Sequence, residues 1–419
     1  MAAGEDHVPP LPRLDDQPWL AKRETQAVLA ALAAGGYEGR VVGGAVRNSL
    51  IGKAVTDLDI ATNAPPDETM RLAAAHGFAT APTGLAHGTV TVVVDHHPFE
   101  VTTLREDVET FGRHATVAFT ADWAADARRR DFTINALYCA ADGTVHDPLG
   151  GWPDLVARRV RFIGDPGQRI AEDYLRILRF FRFHAEYARG PMDAEGLAAS
   201  VAARRGLDRL SGERIRQELL KLLAAPGAVA AVHTMADYGL LTEILPVAPR
   251  LGTFARLAEV DGAAGLGPRP VLRLAGLTVA IDEDVPRIAD RLRLSNEERA
   301  TLTAFARGLG DDHPPASVEE ARRLLYRLGE ARYIDRVLSL WAANSDWPAE
   351  QWQTLLRLPK NWSVPRLPVG GADVLARGVT PGPAVGRVLA TLELLWVDAG
   401  FPDDRDWLLR QLDQMTRQA

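Results

Sequence analysis

The chain has 419 residues, a single cysteine and a formal net charge of −7 at pH 7, with 47% hydrophobic and 25% charged residues. These proportions are typical of a soluble globular protein of more than one domain. The single cysteine excludes an internal disulfide and a cysteine-based zinc site, and the acidic balance confines any nucleic-acid contact to a local groove.

No apolar run reaches the roughly 18 to 20 residues that span a bilayer. The first residues also lack the basic-then-apolar pattern of a signal peptide. We therefore expect a cytoplasmic protein with no membrane partner. Residues 1–17 are rich in Pro and Asp and predict a disordered lead-in, and helical spacing of apolar residues predicts a helix over Trp19–Ala34.

The most informative stretch is Val41–Thr62. It predicts a buried strand, a glycine turn and a short helix, followed by Asp57 and Asp59. Residues two apart on a strand point to the same side, so the two carboxylates can hold one or two divalent cations between them. Mg²⁺ is the usual counter-charge for such closely spaced carboxylates. A lone Asp-x-Asp is more often a solvated loop, and that alternative holds for the pattern alone.

The glycine turn consists of Gly43 and Gly44. A turn of this kind before a helix exposes backbone N–H groups, which suit a phosphate. A lone Gly-Gly is usually nothing more than a turn. The combination is more specific, because strand, Gly-Gly, helix and Asp-x-Asp follow in a fixed order within about twenty residues. It predicts a site for a metal–triphosphate complex.

The residues GGAVRN…DLDIAT resemble the first motif of the class II tRNA nucleotidyltransferases, the CCA-adding enzymes, and of the related bacterial poly(A) polymerases. Both groups belong to the polymerase-beta-like nucleotidyltransferase superfamily. The resemblance implies Mg²⁺-dependent, template-independent addition of C, C and A to tRNA 3′ ends from CTP and ATP, with release of pyrophosphate. It also implies that Asp57 and Asp59 hold the metals, and that Gly44 and Arg47 secure the triphosphate.

One position departs from the family's pattern. Asn48 stands where the family commonly has an aspartate after the motif's arginine. We expect the neutral amide to alter a hydrogen bond behind the site more than the chemistry.

Farther along, Pro65–His76 predicts a helix, and Gly88–Val94 with Pro98–Leu104 predicts a hairpin. Glu100 lies on the second of these strands. A glutamate there could equally well be an ordinary solvent-facing residue. A two-metal site for phosphoryl transfer, however, needs a third carboxylate to activate the attacking hydroxyl. The family carries a glutamate in the same VTT-containing strand, so the resemblance implies that Glu100 is catalytic.

The segment Glu106–Phe119 is polar, interrupted by glycine and without a clear period. It predicts a mobile loop. In the family the corresponding segment is a flexible loop needed for the final adenosine addition, and CC-only enzymes lack it. The resemblance therefore implies that A is added.

Arg128–Arg130 would usually be a solvated basic patch, but here it leads directly into the apolar segment Phe132–Tyr138. The residues RRDFTINAL are similar to the family's second motif. The similarity implies that Arg130 binds the triphosphate, Asp131 binds the ribose hydroxyl, and Asn135 supports the phosphates.

The stretch Ile170–Tyr187 predicts a helix on which Asp173 and Arg176 are one turn apart and share a face. The simplest interpretation is an ordinary helix ion pair, worth about 0.3 kcal/mol. The alternative is that an Asp acceptor beside an Arg donor copies the Watson–Crick edge of a nucleic-acid partner, since the guanidinium fork suits paired hydrogen bonds.

The residues EDYLRILRFFRF resemble the family's EDxxR motif. The resemblance implies that Asp173 and Arg176 select cytosine or adenine, that Glu172 orients the arginine, and that Arg179 and Arg182 face the nucleotide and its phosphates. The later segment SGERIRQEL resembles the motif that braces this helix.

From about residue 165 helices dominate, so we predict an α+β protein with a small nucleotidyltransferase head, whose sheet is mixed or antiparallel, followed by helical parts. The predicted divisions are a catalytic head at 18–155, a neck with the base-selection helix at 156–225, a body at 226–310 and a tRNA-binding tail at 311–419. Residues 367–388 form either a plain helix hairpin or a helix N-terminus that presents N–H groups to an RNA phosphate.

Two other functions stay open. A poly(A) polymerase that adds A tails to RNA shares these motifs, although the acidic balance disfavours it. A non-catalytic RNA-binding protein is the alternative of a different class. Such a protein gains nothing from Asp57, Asp59 and Glu100 clustered toward RNA. The sequence does not indicate the oligomeric state.

Overall fold

The computed structural model describes residues 8–111, 114–310, 313–344 and 346–417. They form two compact units. The first extends to Pro246 and includes Asp290–Arg293, and the second comprises Val247–Ala289 and the residues from Leu294 onward. Every strand of the described residues lies in the first unit, and the second is helical. The predicted α+β class is confirmed. The unit boundary does not coincide with the boundary expected at residue 225, and the four-part division stays a prediction.

The first unit combines strands with helices. Its helices are α1 (Pro18–Ala21), α2 (Arg23–Ala34), α3 (Gly44–Leu50), α4 (Pro66–Ala75), α5 (Trp123–Arg128), α6 (Gly151–Val156), α7 (Pro166–Glu172), α8 (Leu175–Tyr187), α9 (Ala194–Ala202), α10 (Gly212–Ala224), α11 (Ala228–Asp237) and α12 (Leu241–Ile244). Its strands are β1 (Gly39–Val42), β2 (Asp59–Thr62), β3 (Ala79–Gly84), β4 (Thr89–Val94), β5 (His97–Thr103), β6 (Arg105–Phe111), β7 (His114–Phe119), β8 (Tyr138–Cys139) and β9 (Val145–His146).

The main sheet is mixed and has the strand order β3-β4-β5-β2-β1-β8-β9. The pair β2–β5 is parallel, with Asp59 beside Glu100, whereas β1–β2 and β4–β5 are antiparallel. In β4 the alternating residues Val90, Val92 and Val94 are buried, which is the pattern of a strand with one face in the core. The predicted hairpin is confirmed, and both the strand over residues 39–42 and the helix after Pro65 form where the sequence predicts them.

The second unit is built from helices around aromatic cores. The helices are α13 (Leu251–Ala264), α14 (Pro270–Thr278), α15 (Asp284–Leu292, whose end belongs to the first unit), α16 (Asn296–Arg307), α17 (Val318–Leu328), α18 (Glu330–Ala343), α19 (Ala349–Asn361), α20 (Gly371–Leu375), α21 (Pro383–Asp398) and α22 (Arg405–Arg417). One core contains Tyr333 and Trp352, and another contains Trp396. No helix among the described residues is both long and apolar enough to cross a membrane.

Residues 8–17 correct the expectation of disorder, and residues 1–7 lie outside the described part of the chain. The Leu14 side chain is 3% exposed, and its N–H donates to the Gly143 carbonyl at 2.8 Å. The indole N–H of Trp152 donates to the Pro9 carbonyl at 2.6 Å. The segment therefore packs on the head. A composition rich in Pro and Asp did not reveal this, because one buried leucine and a few backbone bonds hold it.

Two further predictions of local structure differ from what the structure shows. The helix expected over Trp19–Ala34 is interrupted at Lys22, whose backbone is extended. The loop expected over Glu106–Phe119 is instead a two-stranded antiparallel sheet of β6 and β7, with residues 112 and 113 outside the description. Backbone pairing between its two halves supplies the regularity that the side-chain pattern lacks.

Cys139 lies at the end of β8 in the core and is fully buried. Burial raises the pKa of its thiol to about 12. The thiol is therefore a structural side chain rather than a nucleophile.

We expect Leu14→Ala to lower the free energy of unfolding by about 2 to 4 kcal/mol, the usual loss for a buried leucine. The measurement is urea-induced unfolding followed by circular dichroism. Leu11, which is 38% exposed, supplies the control, and Leu11→Ala should change stability by less than about 0.5 kcal/mol. Equal effects of the two substitutions would contradict the packing of this segment.

Candidate active site

A cavity of about 650 Å³ lies in the first unit where α3, β2 and α8 approach one another. Its wall combines a glycine turn, arginines and carboxylates. The residues that line it are Gly43, Gly44, Arg47, Asp59, Arg105, Arg129, Arg130, Asp131, Asn135, Asp173, Arg176, Arg179 and Phe183. Most residues predicted for nucleotide binding therefore meet at one place, although they come from positions far apart in the sequence.

Of the three predicted catalytic carboxylates, Asp59 lines this cavity, and the charges of the other two act on it. Asp59 begins β2 and lines the cavity, Glu100 is its neighbour on the parallel strand β5, and Asp57 lies just before β2 rather than on it. Desolvation, together with the charges of Glu100 and Asp57, raises the pKa of Asp59 above its ordinary value, although Arg130 opposes this. Glu100 and Asp57 thus both repel a negative charge on Asp59.

This repulsion bears on whether the site suits a metal ion. Carboxylate oxygens are the ligands that hard divalent cations prefer, and a cation would relieve the repulsion on Asp59. The donor set therefore fits a divalent cation in its chemistry. Among the residues that the structure describes, however, no group of three or more His, Cys, Asp or Glu side chains is spaced to hold one. The Asp57 carboxylate instead accepts a hydrogen bond from the Thr56 hydroxyl at 3.0 Å.

The glycine turn depends on Gly43 more than on Gly44. Gly43 has φ of 72°, a left-handed conformation that favours glycine, and its N–H donates to the Leu137 carbonyl at 3.1 Å. Gly44 begins α3 without a positive φ, and a Cβ there would lie 3.7 Å from Arg47, an ordinary contact. The sequence therefore identified the turn. Only Gly43, however, adopts a backbone conformation that requires a residue without a side chain.

Arg47 is held firmly within the wall. Its guanidinium donates to Asn135, to Asn48 at 2.9 Å and to the Tyr187 hydroxyl at 2.7 Å. It also stacks on the Tyr187 ring, 4.0 Å from the ring centre, and its burial lowers its pKa. The Asn48 amide donates in turn to the Ala54 carbonyl at 2.9 Å. Asn48 thus supports Arg47 with a neutral acceptor.

Asp131 is the hub of the second predicted motif. Its Oδ2 accepts two bonds from Arg179, at 2.8 and 2.5 Å, and its Oδ1 accepts from Asn135 and from the Phe132 N–H, both at 2.9 Å. Burial alone would raise the pKa of Asp131, but these donors hold it below its ordinary value. A carboxylate has about four acceptor positions, and all are occupied here. A ribose hydroxyl would have to replace one of these donors.

The predicted continuous helix through Asp173 and Arg176 is wrong. Helix α7 ends at Glu172, Asp173 is extended with φ of −154°, and α8 begins at Leu175. The interruption has a local cause, because the Asp173 carboxylate accepts from the Leu175 N–H at 3.1 Å, a bond that competes with helix continuation. Both Asp173 and Arg176 nevertheless line the cavity.

Each member of this pair has a fixed partner. The Asp173 carboxylate accepts from Arg214 of α10 at 2.7 Å. Arg176 donates to the Glu172 carboxylate and to the Arg169 carbonyl, the latter at 2.7 Å. The contact between Glu172 and Arg176 is the one expected for a residue that orients the arginine.

Arg182 is expected to face the nucleotide, and that role stays a prediction. Its Nε donates to Glu218 of α10 at 2.5 Å, its guanidinium stacks on Phe183, and it is absent from the cavity wall among the described residues. Arg179 does line the cavity, and it bridges Asp131 and Glu218. The spacing of three and six residues from Arg176 did not distinguish the two arginines, because the carboxylate that attracts Arg182 comes from another helix.

Sequence reasoning missed three residues of the cavity wall. They are Arg105, Arg129 and Phe183. Arg129 directly precedes Arg130 in the second motif, and its position there is a usable signal. Phe183 belongs to the apolar pattern of α8, where an aromatic residue at helical spacing more often indicates core. Nothing in the sequence around Arg105 indicates that it reaches the site.

Models of two protein families match parts of the chain. The Poly A polymerase head domain matches residues 39–161, and the probable RNA and SrmB- binding site of polymerase A matches residues 192–251. The chain is 36% identical over 381 residues to the CCA tRNA nucleotidyltransferase 1, mitochondrial, of Mus musculus, covering 89% of this chain and 86% of the relative. It is 32% identical over 399 residues to the CCA-adding enzyme of Levilactobacillus brevis, covering 91% and 95%.

Solved structures agree with these relatives. The crystal structure of the Bacillus stearothermophilus CCA-adding enzyme in complex with CTP matches with a TM-score of 0.71 and 28% identity, over 95% of this chain and 99% of that one. The Thermotoga maritima CCA-adding enzyme complexed with tRNA shares the fold, with a TM-score of 0.62 at 20% identity. Similarity of this extent over nearly the whole length places the chain in the family of class II CCA-adding tRNA nucleotidyltransferases.

Proposed function

We propose that this protein adds C, C and A to the 3′ ends of tRNA from CTP and ATP, without a nucleic-acid template, and releases pyrophosphate. The observation that carries the proposal is the single cavity in which Asp59, paired with Glu100 across β2 and β5, faces a wall of arginines beside Asp173. The names of its relatives and the CTP-bound neighbour support the same substrates.

The arginines of the wall supply the binding site for the triphosphate. Arg130 and Arg47 lie beside the glycine turn, since a Cβ on Gly43 would be 3.8 Å from Arg130 and a Cβ on Gly44 would be 3.7 Å from Arg47. Positive charge placed before the substrate arrives stabilises both the bound phosphates and the charge that develops during transfer. Asp131 contributes by fixing Arg179 and Asn135, since its own acceptor positions are occupied.

The carboxylates form the catalytic centre. Nucleotidyltransferases of this superfamily generally use divalent metal ions, and we propose Mg²⁺ held by Asp57 and Asp59. Bound there, Mg²⁺ supplies charge neutralisation at the phosphates. Glu100 lies beside Asp59 and accepts the proton of the terminal ribose hydroxyl. As the ribose oxygen bonds to the α-phosphorus, the bond from that phosphorus to the oxygen bridging it to the β-phosphate breaks, and pyrophosphate leaves. The rest of catalysis is positioning by the cavity wall.

Base choice comes from Asp173 and Arg176. One presents acceptor oxygens and the other N–H donors, and both line the cavity. Because Arg214 holds Asp173 and Glu172 holds Arg176, each offers a defined edge to an incoming cytosine or adenine. A pair fixed in this way acts as the template.

The proposed RNA partner is tRNA. The family model that matches residues 192–251 is described as a probable RNA-binding site. We also propose that the tail at 311–419 binds tRNA. The location in the cytoplasm stays a prediction, since some relatives are named as mitochondrial. Poly(A) synthesis is the alternative that the same cavity would permit.

The proposal is tested with purified protein, Mg²⁺ and tRNAs that end before, within or after the CCA sequence, each given labelled CTP or ATP. We expect two C additions followed by one A, and no extension of a complete end. Long A tails would favour a poly(A) polymerase, C without A would indicate a CC-adding enzyme, and no incorporation would favour a non-catalytic RNA-binding protein.

The metal assignment predicts opposite effects of Asp59→Asn on activity and on stability. Incorporation of both nucleotides should be abolished, as for Asp57→Ala. The metal-free protein should melt at a higher temperature, because a neutral amide avoids the cost of burying the Asp59 charge and its repulsion by Glu100 and Asp57. Mg²⁺ should raise the melting temperature of the wild type but not of Asp59→Asn. An active Asp57→Ala protein, or an equal response to Mg²⁺, would refute the assignment.

The proposed base selection predicts that Arg176→Ala mainly blurs the choice between nucleotides. We expect the ratio of correct to incorrect incorporation to fall by roughly tenfold, the scale of one lost charge-assisted hydrogen bond. Arg182→Ala on the same helix is the matched control, because Arg182 also pairs with a glutamate but does not line the cavity. An unchanged choice in Arg176→Ala would exclude this role.

A further inference from the structure

Asp126 is a buried carboxylate directly behind the cavity. It lies on α5, one turn before Arg130, and is 1% exposed. Its Oδ1 accepts from Arg129 at 2.8 Å, and its Oδ2 accepts from Arg130 at 3.0 and 3.3 Å and from the Tyr138 hydroxyl at 2.9 Å. Both arginines line the cavity, whereas Asp126 does not.

These contacts leave one edge of Arg130 open. Its Nε and Nη2 donate to Asp126, and Nε also donates to the Tyr138 hydroxyl at 3.3 Å, while Nη1 has no hydrogen-bond acceptor within the described part of the chain. A Cβ built on Gly43 would lie 3.8 Å from this Nη1. The unused N–H groups of Arg130 therefore lie beside the glycine turn.

Tyr138 connects Asp126 to the sheet. Tyr138 belongs to β8 and pairs with Val42 of β1, the residue before Gly43. Its ring and Val42 also share a buried core with Ala127 of α5. The carboxylate that holds Arg130 is thereby fixed relative to the strand that leads into the turn.

We infer that Asp126 is a positioning residue for nucleotide binding: it holds Arg130 so that Nη1 meets a phosphate of the incoming nucleotide beside Gly43. This inference rests on the proposed function. It predicts that replacing Asp126 lowers the affinity for phosphates, whereas replacing a residue of a purely structural ion pair would not.

Asp154 provides the matched control. It is likewise fully buried, pairs with Arg159 at 2.6 Å and Arg161 at 3.0 Å, and accepts from the Thr133 hydroxyl at 2.7 Å. Its two arginines do not line the cavity beside Gly43. Substitution of either aspartate removes a comparable buried charge, but only Asp126 is connected to Arg130.

The test is isothermal titration of the full-length protein with CTP and with inorganic tripolyphosphate, which carries the phosphates without a base. In Asp126→Asn both affinities should fall on the order of tenfold. Asp154→Asn should retain both affinities while its melting temperature falls. Arg176→Ala should lose affinity for CTP but not for tripolyphosphate, and Asp126→Glu should recover part of the lost affinity.

Unchanged affinities in Asp126→Asn, or an equal loss in Asp154→Asn, would overturn the inference. Should Asp126→Asn fail to fold, Tyr138→Phe keeps the ring and removes the hydroxyl that donates to Asp126 and accepts from Arg130 Nε. It should weaken the binding of both ligands, and undiminished binding would count against the role of Asp126. A wild-type protein that binds no CTP would refute the proposed function itself. If the wild type binds CTP and Asp126→Asn binds it equally well, only the role of Asp126 is overturned.

Discussion

The site depends on ion pairs between the arginines of its wall and nearby carboxylates. Arg130 is held by Asp126, Arg176 by Glu172, and Arg179 by Asp131 and Glu218. Several positive groups around one cavity would repel one another and move apart without such partners. A buried pair adds little net stability, but its geometry is strict because each charge lost from water needs its partner. The ion pairs therefore fix the positions of the guanidinium groups before a phosphate binds.

The sheet supplies the complementary negative charge. Parallel pairing of β2 with β5 sets Asp59 beside Glu100, an arrangement that is unfavourable for the protein alone. The strands tolerate it because Ile60 and Val101, the next residues on each, are buried in the core. Hydrophobic packing of the strands thus offsets the electrostatic cost at their ends. A cation bound there would lower that cost by neutralising the carboxylates.

Much of the fold could be predicted because the relevant signals are local. Alternating valines indicated β4, and the glycine turn with its flanking strand and helix indicated the first motif. Local patterns failed where distant contacts decide the outcome. Leu14 is ordered by Gly143, and β6 is regular because β7 pairs with it.

The same limit applies to side chains of the site. Arg182 resembles Arg179 in sequence, yet Arg182 pairs with Glu218 on another helix and does not line the cavity. Asp126 carried no signal, since its importance lies in partners that only the fold assembles.

The single cysteine has a practical consequence for spectroscopy. Cys139 is buried, and its thiol resists ionisation at neutral pH, so thiol-reactive dyes and spin labels should leave the unmodified protein nearly untouched. A cysteine introduced at any exposed position would then be the sole reactive one, with no need to remove the native residue from the core. Pairs of such labels on the β6–β7 hairpin and on the helical unit would let distances be followed while nucleotides are added one by one.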